Sequence, residues 1–246
     1  MRTLIVGDIH GKVPFVERAL AQEHPVIFVG DICDSFDRPT KDHIKCFELI
    51  FKAIDEGKAT CLYGNHELSY LMPEHRCSGW NVAMQAHIDG GLRHEMAGRF
   101  DYFQLYDNIL ITHAGLDKRI WDKFDLNLDN LAQTLAEWCH IPGSPAHWIG
   151  KFRGGWHTVG GIFWCDFDHE FQEIPELIQI VGHTRGTELR RTGNSYCIDY
   201  NDWKSNFFYW ELPDDEGTLE GNQGNATEEA PSVVGLVGQE NVHQGT

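Results

Sequence analysis

The chain has 246 residues, 41% of them hydrophobic, enough for one sizeable core with a tail. Its formal net charge of −17 repels nucleic-acid backbones and disfavours a polynucleotide partner. Seven cysteines at wide spacings, with no C-x-x-C, argue against a disulfide framework or a zinc ribbon and fit a reducing compartment.

No apolar run approaches the roughly 20 residues of a membrane span. Met1-Arg2-Thr3-Leu4 leads straight into a strand pattern without the features of a secretion signal. The expectation is a soluble cytoplasmic protein with no membrane partner. Residues 1–212 read as one globular unit. Residues 213–246 hold seven acidic residues and no Lys or Arg, and so carry −7 of the −17. That composition predicts a disordered tail.

In chain order, Leu4-Ile5-Val6 is a short apolar strand ending at Gly7-Asp8. A helix follows, with Pro14 in its first turn, where proline is tolerated. Val26 to Val29 is a second strand, ending at Gly30-Asp31. Thr40 reads as the N-cap of a helix whose apolar face is Ile44, Phe47, Phe51 and Ile54, with His43 on the solvated side and Gly57 as the stop. Ala59 to Tyr63 is a third strand, ending at Gly64-Asn65. Alternating buried strands and amphipathic helices imply a parallel sheet.

Ser69 to Asp101, with His75, His87, His94 and Trp80, reads as an insertion over the site. Ile109 to Thr112 is a strand ending at His113, and Leu128, Leu131, Leu135 and Trp138 mark another helix. Ile178 to Val181 ends at Gly182-His183. Ser195–Ile198 and Phe207–Leu212 follow as strands with no helix between them. Trp121, Trp138, Trp164 and Trp210 read as core or sheet-face residues, and Cys33 as an inert small side chain.

Five strand ends carry polar, metal-competent residues: GDIHG (7–11), GDICD (30–34), GNHE (64–67), HAG (113–115) and GHT (182–184). Ligands of open α/β sheets bind at strand carboxyl ends, so these would converge. Each residue taken singly could be an ordinary turn former. Turn chemistry does not explain His10, His66, His113 and His183 at equivalent positions. Asp8, His10, Asp31, Asn65, His113 and His183 offer a mixed set of oxygen and nitrogen donors. The set has too much oxygen for structural zinc and too much imidazole for calcium, and it suits Mn²⁺, Fe or Zn²⁺. Six donors exceed what one ion needs if it also holds water, which favours two ions sharing a carboxylate.

The ordered motifs resemble those of the calcineurin-like metallophosphoesterases, in the branch of the serine/threonine phosphatases and diadenosine tetraphosphate hydrolases. The resemblance spans residues 7–184. It implies a four-layer α/β sandwich, with two central mixed β-sheets flanked by helices and the first three strands in one sheet. It implies that Asp8 and His10 hold one divalent ion, that Asp31 bridges, and that Asn65, His113 and His183 complete the second site. A water between the ions would attack phosphorus, with His66 as general acid and Asp34 orienting it.

The substrate implied is a phosphorylated small molecule, a nucleotide or a phosphoprotein. The alternatives are a dinucleoside polyphosphate hydrolase and a non-catalytic metal-binding adaptor. A nuclease or cyclic phosphodiesterase is disfavoured, because Arg185 stands where a G-H-x-H ending has its second histidine.

One position departs from the branch. Ser35 stands where an arginine usually follows GD-x-x-D. Phosphate binding then falls to Arg153 or Arg185, with Arg38 a weaker candidate and Asn65 assisting. His75 and Arg76 could reach substrate from the insertion, though a solvated loop is the simpler reading.

Overall fold

The computed structural model describes residues 1–72, 75–200 and 207–213; the expectation for the acidic tail lies outside the described residues. Among the described residues, ten strands form two five-stranded mixed sheets. In the first sheet, β1 (Arg2–Val6), β2 (Val26–Phe28), β3 (Ala59–Leu62) and β4 (Phe100–Asp101) run parallel. Strand β10 (Phe208–Glu211) closes its edge, antiparallel to β1, with Thr3 opposite Trp210. The second sheet has the order β5 (Gln104–Tyr106), β6 (Ile109–Ile111), β7 (Ile178–Val181), β9 (Ser195–Cys197), β8 (Arg190–Thr192). There β6, β7 and β9 are parallel, and the two edge strands are antiparallel.

Period-two alternation explains the layering. Ile5, Ile27, Leu62, Ile111, Ile180, Ile198, Phe208 and Trp210 pack together between the two sheets. The alternate residues of the first sheet, Leu4, Val6, Val26, Phe28 and Cys61, face outward. They meet α1 (Val13–Leu20) and α2 (Thr40–Asp55) through Val16, Ala19, Phe47 and Ile50. Over the second sheet, Leu110, Val181 and Cys197 share a cluster with Ile120 of α6 (Lys118–Lys123) and with Leu131 and Leu135 of α7 (Leu128–Cys139). The result is the expected sandwich of two mixed sheets flanked by helices.

Two helix expectations need correction. Thr40 is the first helical residue of α2 and Pro39 is the cap, with no side-chain cap hydrogen bond. The buried stripe of α2 is His43, Cys46, Phe47, Ile50 and Ala53. It is rotated from the expected face because α2 packs against both α1 and the Gly11 turn. His43, expected in solvent, is 2% exposed and fills the space beside Gly11. Burial first of all lowers its pKa, so its ring is held neutral. Helix α7 has a cap that periodicity alone does not disclose: the Asn127 side chain accepts from Asp129 and Asn130, and Asn130 reaches back to the Asn127 amide.

The expected insertion, Ser69 to Asp101, starts in the last turn of α3 (Asn65–Leu71) and continues as α4 (Val82–His87), a π turn at Ile88–Leu92 and α5 (Arg93–Ala97). No helix among the described residues is long and apolar enough to cross a membrane.

Phe28 is fully buried on the central strand of the first sheet. Phe28→Ala should therefore lower the free energy of unfolding by about 3–5 kcal/mol, read by denaturant titration.

Candidate metal centre

The site forms where β1, β2, β3, β6 and β7 stop. The backbone leaves the extended conformation abruptly there: His10, Asp31, Asp34 and His183 all have positive φ, between 46° and 63°. Asp and His tolerate this region better than most residues, but it is strained, and such strain collects at functional sites.

Two glycines allow the carboxylates to come close. A Cβ on Gly64 would lie 2.1 Å from Asp31 Oδ1, and one on Gly182 would lie 2.5 Å from Asp8 Oδ1. The motif glycines therefore make room for side chains from neighbouring strand ends. Each carboxylate is then fixed by a backbone amide of another motif. The His66 amide donates to Asp31 Oδ1 at 3.0 Å, and the His183 amide donates to Asp8 Oδ1 at 2.9 Å.

The six expected donors lie together. His10 Nε2 is 3.7 Å from Asp8 Oδ2 and 3.9 Å from Asp31 Oδ2. His113 Nε2 is 3.5 Å from Asp31 Oδ2, 2.9 Å from Asn65 Oδ1 and 3.1 Å from His183 Nδ1. Asp31, 1% exposed, is common to two donor clusters: His10, Asp31 and His66, and Asp31, His113 and His183. Asp8 stands 3.7 Å from the His10 ring of the first cluster.

The hydrogen bonds behind these groups fit a cation. The Val29 carbonyl lies 2.8 Å from His113 Nδ1, and the Asp34 carbonyl lies 2.7 Å from His10 Nδ1. A carbonyl can only accept, so in each neutral ring Nδ1 carries the hydrogen and Nε2 a lone pair. Both lone pairs face carboxylate or amide oxygens. Converging lone pairs repel unless a cation lies between them, and a carbonyl behind the ring is how ligating histidines are oriented.

In the metal-free protein a proton takes that place at His10. Burial opposes a charge there, but the hydrogen bond to Asp8 and the charges of Asp31 and Asp8 outweigh it and raise the pKa to about 9. At His183, burial and then the charges of His113 and Arg153 hold the ring neutral.

Several contributors went unassigned at the sequence level. Glu67, fully buried, receives the amides of Asp31, Ile32, Cys33 and Gly64 at 2.8–3.1 Å. It thereby ties the Asp31 loop to the start of α3. Its signal was the last letter of GNHE. Asp199 follows β9 and lines the cleft; burial, then the charge of Asp8, pushes it up to about 8. It is a sixth polar strand end, which the expected strand to Ile198 already pointed at. Tyr70 donates to Asp34, and no local pattern marks that contact.

The cleft above these groups has a volume of about 720 Å³. Arg153, Arg185 and Arg76 line it. Arg153 is held by an ion pair with Asp166 at 3.0 Å and donates to Thr184 Oγ1 at 3.0 Å. Arg76 stacks on Trp80, 4.0 Å from the ring centroid. Arg38 sits beside Asp37 instead and is not among the described lining residues. Ser35 donates to Asp37 at 2.6 Å, and Phe36 beside it is 90% exposed at the rim. Trp164 is a core residue, as expected, and its ring also lies edge-on to His183 and lines the cleft.

The family model for calcineurin-like phosphoesterases matches residues 1–222. Among solved structures, the cold-active protein-tyrosine phosphatase of a psychrophilic Shewanella species aligns with a TM-score of 0.57 at 16% identity. That alignment covers 85% of this chain and 74% of that one. A mutant of a cold-active protein tyrosine phosphatase aligns with a TM-score of 0.56 at 17% identity, with the same coverage. At such identities the likeness concerns the fold. No curated protein matches significantly.

Two outcomes are expected. Gly64→Ala should abolish tight metal uptake, measured by elemental analysis, because the new methyl displaces Asp31. Metal uptake should also release protons. At about pH 7 the His10 ring is charged and a cation must displace its proton, whereas above about pH 9 that proton is already gone. Calorimetry in buffers of different ionisation heat should show about one fewer proton released at the higher pH.

Proposed function

Because the chain belongs to the calcineurin-like phosphoesterase family, and is a metal-dependent phosphoesterase on that ground, we propose that it is a phosphomonoesterase of the serine/threonine-phosphatase type with a dinuclear centre. Asp8 and His10 would hold one ion, Asn65, His113 and His183 the other, and Asp31 would be shared. The donor chemistry suits Mn²⁺ best, with Fe or Zn²⁺ as substitutes. When bound, two divalent cations supply charge neutralisation and an activated water to a phosphoryl centre.

The observation that carries the reading is the His66–Asp34 pair beside that centre. His66 Nδ1 lies 3.0 Å from Asp34 Oδ2, and His66 Nε2 lies 3.8 Å from Asp31 Oδ2. Asp34 therefore fixes the tautomer, leaving Nε2 free to hold a proton for the leaving oxygen. Burial alone would lower the pKa of His66, but the charge of Asp31 and the hydrogen bonds to Asp34 and Cys77 raise it well above the ordinary value. A ring that keeps its proton at neutral pH is ready to act as an acid.

Phosphate binding falls to Arg153 and Arg185 in place of the missing arginine, with Asn65 beside them. Arg153 is the better preorganised, because Asp166 and Thr184 hold its guanidinium. The cleft is open enough for a phosphorylated side chain or a nucleotide, and a dinucleoside polyphosphate hydrolase is the competing subclass.

The test is a Mn²⁺-loaded substrate panel. A phosphomonoesterase should cleave nitrophenyl phosphate and phosphopeptides and leave diadenosine tetraphosphate intact; the reverse pattern selects the competing subclass. His66→Asn should lower kcat by about 10²–10⁴-fold with metal content unchanged. Asp31→Asn should lower metal content as well. Background rates in all three proteins would make the chain a metal-binding adaptor.

A further inference from the structure

Cys77 differs from the other cysteines. Six of the seven are buried, whereas Cys77 is half-buried and lines the cleft. Its Sγ lies 3.5 Å from His66 Nδ1, and Asp34 Oδ2 lies 3.0 Å from the same nitrogen. The donor atoms of Asp34, His66 and Cys77 all lie within 4.8 Å of one another. The backbone supports this arrangement. Tyr70 holds the other oxygen of Asp34, and the Asn81 amide donates to the Tyr70 hydroxyl, tethering the segment that carries Cys77.

We propose that Cys77, His66 and Asp34 form a third metal site, for a soft divalent cation such as Zn²⁺, separate from the dinuclear centre. The spacing fits. Bond lengths of about 2.3 Å to sulfur and about 2.0–2.1 Å to nitrogen and oxygen place tetrahedral S and N donors about 3.5 Å apart, and N and O donors about 3.4 Å apart. The observed 3.5 and 3.0 Å lie within about 0.4 Å of these separations, and the Cys77–Asp34 pair lies within 4.8 Å. The fourth position opens into the cleft, where water is available. None of the six donors of the main centre is a thiolate, so a thiophilic ion distinguishes this site from that one.

The protons balance simply. Zn²⁺ takes the places of the Cys77 thiol proton and the His66 Nδ1 proton, and both go to solvent; Asp34 binds as the carboxylate. The consequence rests on His66 being the general acid, as proposed above. With zinc on Nδ1 the ring can no longer form an imidazolium, and its Nε2–H is far too weak an acid to protonate a leaving group. The site is then inhibitory, closing the catalytic acid without emptying the dinuclear centre.

The probe is Co²⁺, added to full-length Mn²⁺-loaded protein and to its Cys77→Ser variant. The wild type should develop a near-ultraviolet thiolate-to-cobalt charge-transfer band that the variant lacks. In parallel, the zinc concentration that halves activity, relative to each protein's own zinc-free rate, should be higher by about tenfold or more in Cys77→Ser. A band that persists in Cys77→Ser, or fails to appear in the wild type, overturns the site. A Cys77-dependent band with equal zinc sensitivity in both proteins leaves the site standing and removes its inhibitory role. A Cys77-dependent band in a protein with no phosphatase activity leaves the site standing and removes the catalytic reading.

Discussion

The structure is organised around a buried negative charge. Asp31 is 1% exposed, and Asp8, Asp34 and Glu67 are buried close by. Taking a carboxylate out of water costs several kcal/mol unless matched charge and hydrogen bonds replace the water. Here the replacements come from several sides: the His66 amide on Asp31, the His183 amide on Asp8, and the rings of His10 and His113, whose outer nitrogens face backbone carbonyls. Those groups stiffen the donor geometry, but they do not neutralise the cluster. A cluster this acidic holds protons or cations, and the high pKa of His10 is the metal-free expression of that demand.

Glu67 shows how such a site is kept from collapsing. It does not itself line the cleft, yet it gathers four backbone amides from two loops. Burial and the Asp31 charge push its pKa up, while bonds from Cys33 and Gly64 oppose the rise. The two loops it joins end β2 and begin α3, and these carry Asp31, Asp34, Asn65 and His66. One buried carboxylate thus sets the spacing between a shared donor and the acid pair, and mutual repulsion with Asp31 is accepted in return for that rigidity.

The change at Ser35 moves the cationic side of the cleft. A family arginine there would follow Asp34 directly; this chain places Ser35, Phe36 and Asp37 at the rim, with the serine hydroxyl bound to Asp37. Arg153 approaches from the second half of the chain and is anchored by Asp166 and Thr184. The cleft therefore depends on both sheets: Asp8, His10, Asp31, Asn65 and His66 come from the first, and His113, Arg153, His183, Arg185 and Asp199 from the strands and loops of the second. Stability of the packing between the sheets, through Ile5, Ile27, Ile111 and Ile180, is a condition for the site's geometry.

Much of this was legible in the chain itself. Strands ending in Gly-Asp, Gly-Asn or His, spaced by amphipathic helices, determined a parallel core and the convergence of Asp8, Asp31, Asn65, His113 and His183, because strand period and strand-end placement are local properties. Other features depend on which surfaces meet, and no local pattern encodes that. The α2 face turned so that His43 became buried against Gly11, since packing against a turn outweighs a one-residue shift in amphipathic phase. Edge strands β4, β5 and β8 are two or three residues long, too short for periodicity to register. The roles of Glu67 and Tyr70 arise from contacts 36 residues apart in sequence, and those of Asp166 and of Cys77 beside His66 from folds of the intervening loop that no periodicity marks. The donors followed from local chemistry; what holds them, and what else can reach them, was decided only by long-range packing.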